Sequence, residues 1–169
     1  NDSSLDITDE ITISGWIKGD TQSGARGIIS KFRSDYDTRS WSIYSAGTTD
    51  KVTILITQSG AYPTNAKLYT TSIVVLDDLW HHVSFTFTSN TLKVYIDGIE
   101  DTGITKATDN SVSSLYSTAE NVSIGSFSNP TTNQYFAGSI ADTRIYNRAL
   151  SATEITSLYG EGHSSQKQV

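Results

Sequence analysis

The chain has 169 residues, a formal net charge of −6 and no cysteine. A domain of this length can bury a core of its own, and the lack of thiols excludes disulfide bonds and thiolate metal sites. The 12 basic residues stand singly, which argues against nucleic acid as a partner. No apolar run approaches the roughly 18 residues that a membrane span needs, so membrane insertion is not expected.

Apolar and polar residues alternate along most of the chain, which is the period of half-buried β-strands. The alternation predicts strands at 11–18, 27–32, 41–45, 52–57, 68–75, 82–88, 91–96, 121–125 and 138–146. Residues 89–90 and 97–98 are predicted to be tight turns. The stretch 101–119 is predicted to be a loop with a short helical turn near 112–115. Many short strands separated by turn signals indicate an all-β sandwich or barrel.

The same alternation assigns side chains to the two faces of a strand. The apolar positions of strands 82–88 and 91–96 must face the core, which turns Tyr95 outward. Trp16 and Trp80 are assigned to the core as well. The strands therefore predict a core of aliphatic and aromatic side chains with polar residues facing away from it.

One segment has helical signals instead. Ser151 and Glu154 are spaced as a capping box, in which each side chain satisfies a free backbone N–H of the first helical turn. Leu150 precedes the cap and can pack on Ile155, as in a hydrophobic staple. A short C-terminal helix is therefore predicted from this cap.

The predicted helix ends near Tyr159, because Gly160 follows and glycine commonly stops helices. Residues 161–169 are polar and are predicted to form a tail. No linker or internal repeat stands out in the remaining chain. The sequence thus predicts one domain at 1–160 followed by a polar tail at 161–169.

Several phrases are more specific than their alternation. In chain order they are Ile-Thr-Ile-Ser-Gly-Trp-Ile at 11–17, Gly-Ile-Ile-Ser-Lys at 27–31, Leu-Trp-His-His-Val at 79–83, Leu-Lys-Val-Tyr-Ile-Asp-Gly at 92–98, Ile-Gly-Ser at 124–126, Phe-Ala-Gly-Ser-Ile at 136–140 and Arg-Ile-Tyr-Asn-Arg-Ala-Leu-Ser at 144–151. From about residue 5 to residue 159, the chain resembles the laminin-G-like branch of the concanavalin A-like lectin and glucanase superfamily.

The resemblance implies an all-β fold, a two-sheet antiparallel jelly-roll sandwich with the short helix at its end. It also implies a secreted or cell-surface module of a larger, multidomain protein. Members commonly bind carbohydrate or protein, and many hold a calcium ion. The abundant serine and threonine agree with an extracellular β domain, since threonine suits half-exposed strand faces.

The chain departs from the family pattern in two places. Family members usually have a further strand just before the segment that starts here, and without it one sheet edge would be left open. The family also often has an acidic residue directly after Ile140, where this chain has Ala141. Asp142 is then the candidate ligand for a structural Ca²⁺. Its alternative role is that of a surface residue or a partner of Arg144.

Catalysis is not expected. Glucanases of this superfamily carry Glu-x-Asp-x-x-Glu on one strand, which places the acid and the nucleophile on the same face, and none of the five glutamates here has those partners. His81 and His82 are adjacent on a strand, so they point to opposite faces and cannot bind one metal together. Their predicted role is structural, with one ring hydrogen-bonded at the start of the strand.

Aromatic side chains are the remaining signal for a ligand. Exposed rings can stack on the apolar faces of sugars, and tyrosine adds a hydroxyl. The candidate ligand-binding residues are Tyr62, Tyr69, Tyr95 and Trp41, of which Trp41 could instead belong to the core; Tyr36 and Tyr135 are also predicted to be exposed. The predicted function is a non-catalytic, lectin-like module that binds a polysaccharide or glycan. The alternative is a protein–protein adhesion or structural module.

Overall fold

The computed structural model of the chain describes residues 2–33, 37–127 and 134–166. Its strands are β1 (Glu10–Gly19), β2 (Gly27–Lys31), β3 (Trp41–Ser45), β4 (Val52–Thr57), β5 (Ala66–Thr70), β6 (His81–Thr88), β7 (Thr91–Ile96), β8 (Ile99–Glu100), β9 (Thr105–Asp109), β10 (Ser123–Ile124) and β11 (Gly138–Tyr146). A single α-helix, α1 (Ala152–Gln166), follows them. A short 3-10 helix at Ser3–Leu5 precedes β1.

The strands form two antiparallel sheets. Sheet I has the order β11-β1-β6-β7-β8, and sheet II has the order β10-β2-β3-β4-β5-β9. The two sheets pack as a sandwich consistent with a jelly roll, which confirms the predicted fold class. The core lies between the sheets and contains the alternating apolar residues of both, as Ile13 opposite Phe85 and Ile43 opposite Ile54 illustrate.

Two stretches differ from the predicted elements. The predicted strand 68–75 ends at Thr70, because the backbone N–H groups of Val75 and Leu76 both donate to the carbonyl of Asp50 and bend the chain away from the sheet. The predicted loop 101–119 contains β9. The helical turn predicted near 112–115 is absent from this described stretch, since the Leu115 N–H donates to the distant carbonyl of Thr8.

The capping box of α1 is confirmed. The Ser151 hydroxyl accepts from the Glu154 backbone N–H at 3.3 Å, and the Glu154 carboxylate accepts from the Ser151 N–H at 2.8 Å. The chain is tied to β1 just before this cap: the Thr12 hydroxyl donates to the carbonyl of Arg148 and accepts from the N–H of Leu150. These bonds direct α1 across the outer face of sheet I.

The predicted end of the helix near Tyr159 is wrong. α1 continues through Gly160 and Gly162 to Gln166, so residues 161–166 are helical rather than a tail, and 167–169 lie outside the described residues. Gly162 lies against the indole of Trp16, where a Cβ would overlap the ring nitrogen. The missing side chain at this position therefore allows the second part of the helix to pack closely on the sheet.

Trp16 is buried, but not in the core between the sheets as predicted. It lies on the outer face of sheet I, where α1 covers it and Tyr159 stacks on its ring at a centroid distance of 5.5 Å. Trp80, also predicted to be core, is only partly buried. No helix in the described part of the chain is long and apolar enough to cross a membrane.

Candidate ligand-binding surface

The outer face of sheet I is covered by α1. Leu150, Ile155 and Leu158 pack there against Tyr95, which is 2 % exposed. The predicted exposure of Tyr95 is therefore wrong: its side chain does point away from the main core, but the helix closes over it. A ring in this position has no free face on which a ligand could stack.

Two further candidates lie in the core between the sheets. Trp41 and Tyr69 are 1 % and 2 % exposed and belong to the same large cluster of buried side chains. For Trp41 the core alternative is thus the correct one, whereas the predicted exposure of Tyr69 is wrong. The Tyr69 hydroxyl donates to the carboxylate of Asp109, and burial together with this carboxylate raises the pKa of the phenol.

The outer face of sheet II retains polar and aromatic side chains at its surface. Tyr44, on β3, is paired with Thr53 on β4, which is paired with Thr70 on β5. The hydroxyls of Thr53 and Thr70 are 2.9 Å apart. The side chain of Tyr62 comes from the loop before β5 and places its hydroxyl 3.3 Å from that of Thr108.

We call this surface the tyrosine face. It consists of Tyr44, Thr53, Tyr62, Leu68, Thr70 and Thr108. Tyr62 is 43 % exposed, Tyr44, Leu68, Thr70 and Thr108 are partly exposed, and Thr53 is buried between its neighbours. The surface therefore combines an accessible aromatic ring with several hydroxyl groups that can both donate and accept hydrogen bonds.

Burial is the main influence on Tyr44 within this face. Burial, with a smaller contribution from the neighbouring Tyr62, raises the pKa of the phenol to about 12. The hydroxyl of Tyr44 therefore stays protonated at physiological pH and is a donor as well as an acceptor. The face carries neutral hydroxyls rather than charges.

The loop that presents Tyr62 is held at several points. Asn110 donates from its side-chain amide to the carbonyl of Pro63 at 2.8 Å, and the Gln58 N–H donates to the carbonyl of Asn65 at 2.9 Å. Asn65 has a φ of 50°, a left-handed conformation that asparagine tolerates better than most residues. These contacts fix the ring of Tyr62 relative to the sheet.

An apolar cluster adjoins the tyrosine face on the same side of sheet II. Phe32 and Phe127 pack with ring centroids 4.9 Å apart, and Leu55 and Ala66 complete the buried part of the cluster, with Tyr44 and Leu68 packed against it. The cluster supports the outer face from one side. Of the other predicted exposed tyrosines, Tyr135 is 60 % exposed beside β2, whereas Tyr36 lies outside the described residues.

The residues around Asp142 do not fit the predicted calcium site. Both carboxylate oxygens of Asp142 accept from the guanidinium of Arg144, each at 2.9 Å, and Arg144 also donates to Glu161 at 2.9 Å. Asp142 lies where β11 slips in register against β1, with a φ of 48°. Among the described residues, no group of three or more His, Cys, Asp or Glu side chains is placed to hold a metal.

The two adjacent histidines have the predicted structural arrangement. His81 begins β6, and its Nδ1 lies 2.8 Å from the carboxylate of Asp97, whose other oxygen accepts from the His82 backbone N–H at 2.9 Å. The hydrogen bond that His81 donates to Asp97 raises the pKa of His81, although burial opposes it. His82 points the other way, onto the face that α1 covers, and is 2 % exposed.

Known proteins with this fold place the chain in a family. A laminin-G-type family profile, described as the concanavalin A-like lectin/glucanases superfamily, matches residues 1–156. The chain belongs to this superfamily. No curated protein sequence matches the chain. The match spans nearly all of the sandwich, including the tyrosine face.

Solved structures of this lectin-type fold are similar in shape but distant in sequence. A heptameric SAP-like pentraxin from Limulus polyphemus has a TM-score of 0.61 at 15 % identity, over 90 % of this chain and 70 % of the pentraxin. The binding domain of botulinum neurotoxin serotype G has a TM-score of 0.63 at 19 % identity, over 98 % of this chain and 40 % of the toxin domain. A Trypanosoma rangeli sialidase has a TM-score of 0.65 at 18 % identity, over 89 % of this chain and 22 % of the sialidase. The chain thus spans well under half of the toxin domain and the sialidase.

Proposed function

We propose that this domain is a non-catalytic carbohydrate-binding module and that the tyrosine face is its ligand surface. The observation that carries the proposal is the ring of Tyr62, 43 % exposed and fixed above a sheet face of threonine and tyrosine hydroxyls. Such a ring can stack on the apolar face of a sugar while the hydroxyls bond its OH groups. Among the described residues, the outer face of the other sheet has no ring exposed to the same degree, because α1 covers Tyr95 and Trp16.

The family supports a binding role. Concanavalin A-like lectins give the superfamily part of its name. A structure of the sialidase is described as a complex with 2,3-difluorosialic acid. Botulinum neurotoxin type C matches with a TM-score of 0.55 at 16 % identity, and its cell entry is described as dependent upon interaction with two ganglioside molecules. These statements concern those proteins, and each has far more chain than this domain.

The ligand we propose is a neutral or lightly charged glycan. The net charge of −6 repels strongly anionic polymers, and the tyrosine face contributes hydroxyls rather than cations. One ring and a few hydrogen bonds give an affinity of roughly millimolar to micromolar. We further propose that the domain is part of a larger secreted or cell-surface protein, in which it holds that protein near a polysaccharide.

Titration with neutral oligosaccharides, followed by NMR of backbone amides and tyrosine rings, tests the site. We expect Tyr62→Ala to raise the dissociation constant about tenfold or more, since the free energy of one well-placed contact corresponds to a change of this size. Tyr62→Phe should retain most of the affinity. Tyr135→Ala is the matched control, because Tyr135 is 60 % exposed beside β2 rather than beside β9. Binding that survives Tyr62→Ala, or is lost equally in Tyr135→Ala, would contradict the proposal.

The lack of Glu-x-Asp-x-x-Glu supports the non-catalytic part of the proposal. We expect the purified domain to release no reducing ends from a panel of β-glucans, galactans and alginates. Release that disappears when one carboxylate is replaced would show that the domain is an enzyme.

A protein partner is the second candidate, and one observation favours it. The loop between β5 and β6 exposes aliphatic side chains, with Ile73 43 %, Val74 42 % and Leu79 62 % accessible. Exposed aliphatic groups are typical of protein contacts. If the domain binds no glycan on an array, and replacing these three residues by serine abolishes adhesion of the full-length protein, the adhesion role replaces the carbohydrate role.

A further inference from the structure

The contact between α1 and sheet I is rich in polar groups. The buried residues on the outer face of sheet I are Thr12, Ser14, Trp16, His82, Ser84, Thr86 and Tyr95, which we call the covered face. Among the described residues, the hydroxyls of Ser14 and Ser84, Nε1 of Trp16 and Nδ1 of His82 are buried without a hydrogen-bond partner. A buried polar group without a partner gives up its bonds to water, so each one disfavours the docked position of α1.

The second half of α1 is weakly disposed to be helical. Gly160 and Gly162 lie within it, and glycine is among the poorest helix formers. The first half is held by Leu150, Ile155 and Leu158. The contacts of the second half with sheet I include the stack of Tyr159 and the close packing of Gly162 on Trp16. They also include the ion pair of Glu161 with Arg144. The docked state of this half therefore depends strongly on the surroundings of Trp16.

His82 lies beneath this second half. Its ring centroid is 5.6 Å from that of Trp16 and 6.3 Å from that of Tyr159. It is 2 % exposed, and burial lowers the pKa of its imidazole to about 4. A protonated imidazole must donate from both ring nitrogens, and for Nδ1 the described residues supply no acceptor.

The charges around His82 do not compensate for this burial. Asp97, in the turn after β7, and Asp142 on β11 favour the protonated ring, whereas Arg144 on β11 opposes it, and β1 contributes the uncharged Trp16. From α1, Tyr159 and His163 face the same space. Asp97 already accepts from His81, whose pKa is raised, so protonation of His81 stabilises the folded domain and acts against any acid effect of His82.

We propose that α1 is an acid-released cover: protonation of His82 detaches the second half of the helix from sheet I and exposes the part of the covered face that lies beneath that half. This inference is independent of the tyrosine face, which lies on the other sheet. The exposed surface would present Trp16 and His82 to solvent, whereas Tyr95 stays packed beneath the first half of α1.

The sign of the effect follows from the two states of His82. In the docked state its pKa is about 4, and in the released state it returns toward the ordinary 6.5. The docked state of α1 is therefore most stable at pH values above the ordinary pKa of His82. It loses stability as the pH falls below that value, and the loss is complete once the pH is below the pKa of His82 in the docked state. Between these limits the docking equilibrium weakens on the order of a hundredfold.

Amide hydrogen exchange of the full chain, corrected for the intrinsic pH dependence, measures this release. We expect the protection of the α1 amides at 158–163 to fall on the order of a hundredfold between neutral pH and about pH 4.5, while the amides of β6 keep theirs. His82→Phe keeps a ring in place without a titrating proton, so the protection of the α1 amides should no longer fall with pH in this variant. In His163→Gln, the matched control within the helix, the protection should fall as in the unaltered chain.

Two results would overturn the proposal. One is protection of α1 that does not change with pH in the unaltered chain; the other is a fall that persists in His82→Phe. If His82→Phe does not fold, the titration of the His82 ring by NMR in the unaltered chain decides instead. A pKa of His82 below about 5 supports the proposal. A pKa of His82 at or above the ordinary value contradicts it.

Discussion

Gly162 of α1 lies directly against the indole of Trp16, so close that a Cβ at position 162 would overlap the ring nitrogen. Gly160, two residues earlier in the same helix, has open space where its Cβ would be. The two glycines therefore have different roles, although both lower the helical propensity of the segment.

The pair gives a matched prediction. We expect Gly160→Ala to stabilise the domain by up to about 1 kcal/mol, since alanine favours the helix and meets nothing. Gly162→Ala should instead lower stability by about 1–3 kcal/mol, the usual cost of overpacking, because the tryptophan or the helix must move. Urea unfolding of both variants measures the difference. Equal effects would mean that α1 does not pack on Trp16.

The capping box gives a second prediction. Ser151→Ala removes the hydroxyl that accepts from the Glu154 N–H, and it should reduce the free energy of unfolding by about 1 kcal/mol. Ser157→Ala is the control. The Ser157 hydroxyl donates only to Thr153 of its own helix in the described contacts, so its loss should change stability by less than about 0.5 kcal/mol. An unchanged midpoint in Ser151→Ala would contradict the cap.

Asp97 gives a prediction with a defined pH dependence. Burial would raise the pKa of Asp97, but the hydrogen bonds from His81 and from the His82 backbone outweigh it and lower the pKa. The carboxylate therefore contributes stability above its ordinary pKa, and this is lost as the pH falls through the lowered value. The raised pKa of His81 contributes stability below its ordinary value, and this is lost as the pH rises through the raised value.

Asp97→Asn should consequently cost most stability between the ordinary pKa values of the two groups, about 4 to 6.5, where both are charged. NMR titration should also show the pKa of His81 falling toward 6.5 in this variant. Asp77→Asn is the control, since Asp77 contributes less to His81 and lies 3.2 Å from its other ring nitrogen. A pKa of His81 that is unchanged in Asp97→Asn would contradict the pair.

Calcium should not change the stability of the domain through Asp142. Because Arg144 occupies both oxygens of Asp142, we expect thermal unfolding to have the same midpoint in millimolar calcium and in chelator. A site saturated at 100 times its dissociation constant would stabilise the domain by about 2.7 kcal/mol, which such a comparison detects easily. A shift that disappears in Asp142→Ala would restore Asp142 as a ligand, and a shift that persists would place the ion elsewhere.

Alternation predicted most of the strands and the core face, because a buried strand must place its apolar residues on one side. It identified the side of Tyr95 correctly but not its burial, since the period of a strand does not tell what packs over its outer face. Trp16 was assigned to the wrong face, although it alternates with the core residues Ile13 and Ile17, because a large apolar ring was expected to be buried only in the core. The missing information in both cases was the path of α1, a contact between residues far apart in sequence.

Two local signals also had more than one meaning. Glycine after an apolar stripe commonly ends a helix, yet Gly160 continues α1 because Gly162 has a packing role one half-turn later. The register slip at Asp142 could not be predicted, because a bulge leaves the pattern of residue types unchanged. Of the candidate ligand residues in the described chain, Tyr62 alone is exposed, and its loop position was the useful signal.

The helix across sheet I has a consequence for valency. While α1 is docked, the described residues leave the outer face of sheet II open for an extended ligand to lie along. If the proposed glycan binding holds, one copy of the domain tethers a polymer but does not draw two polymer chains together through its sheets. A protein that gels or agglutinates its target by means of this domain would need at least two copies, joined so that their sheets II face different strands of the polymer.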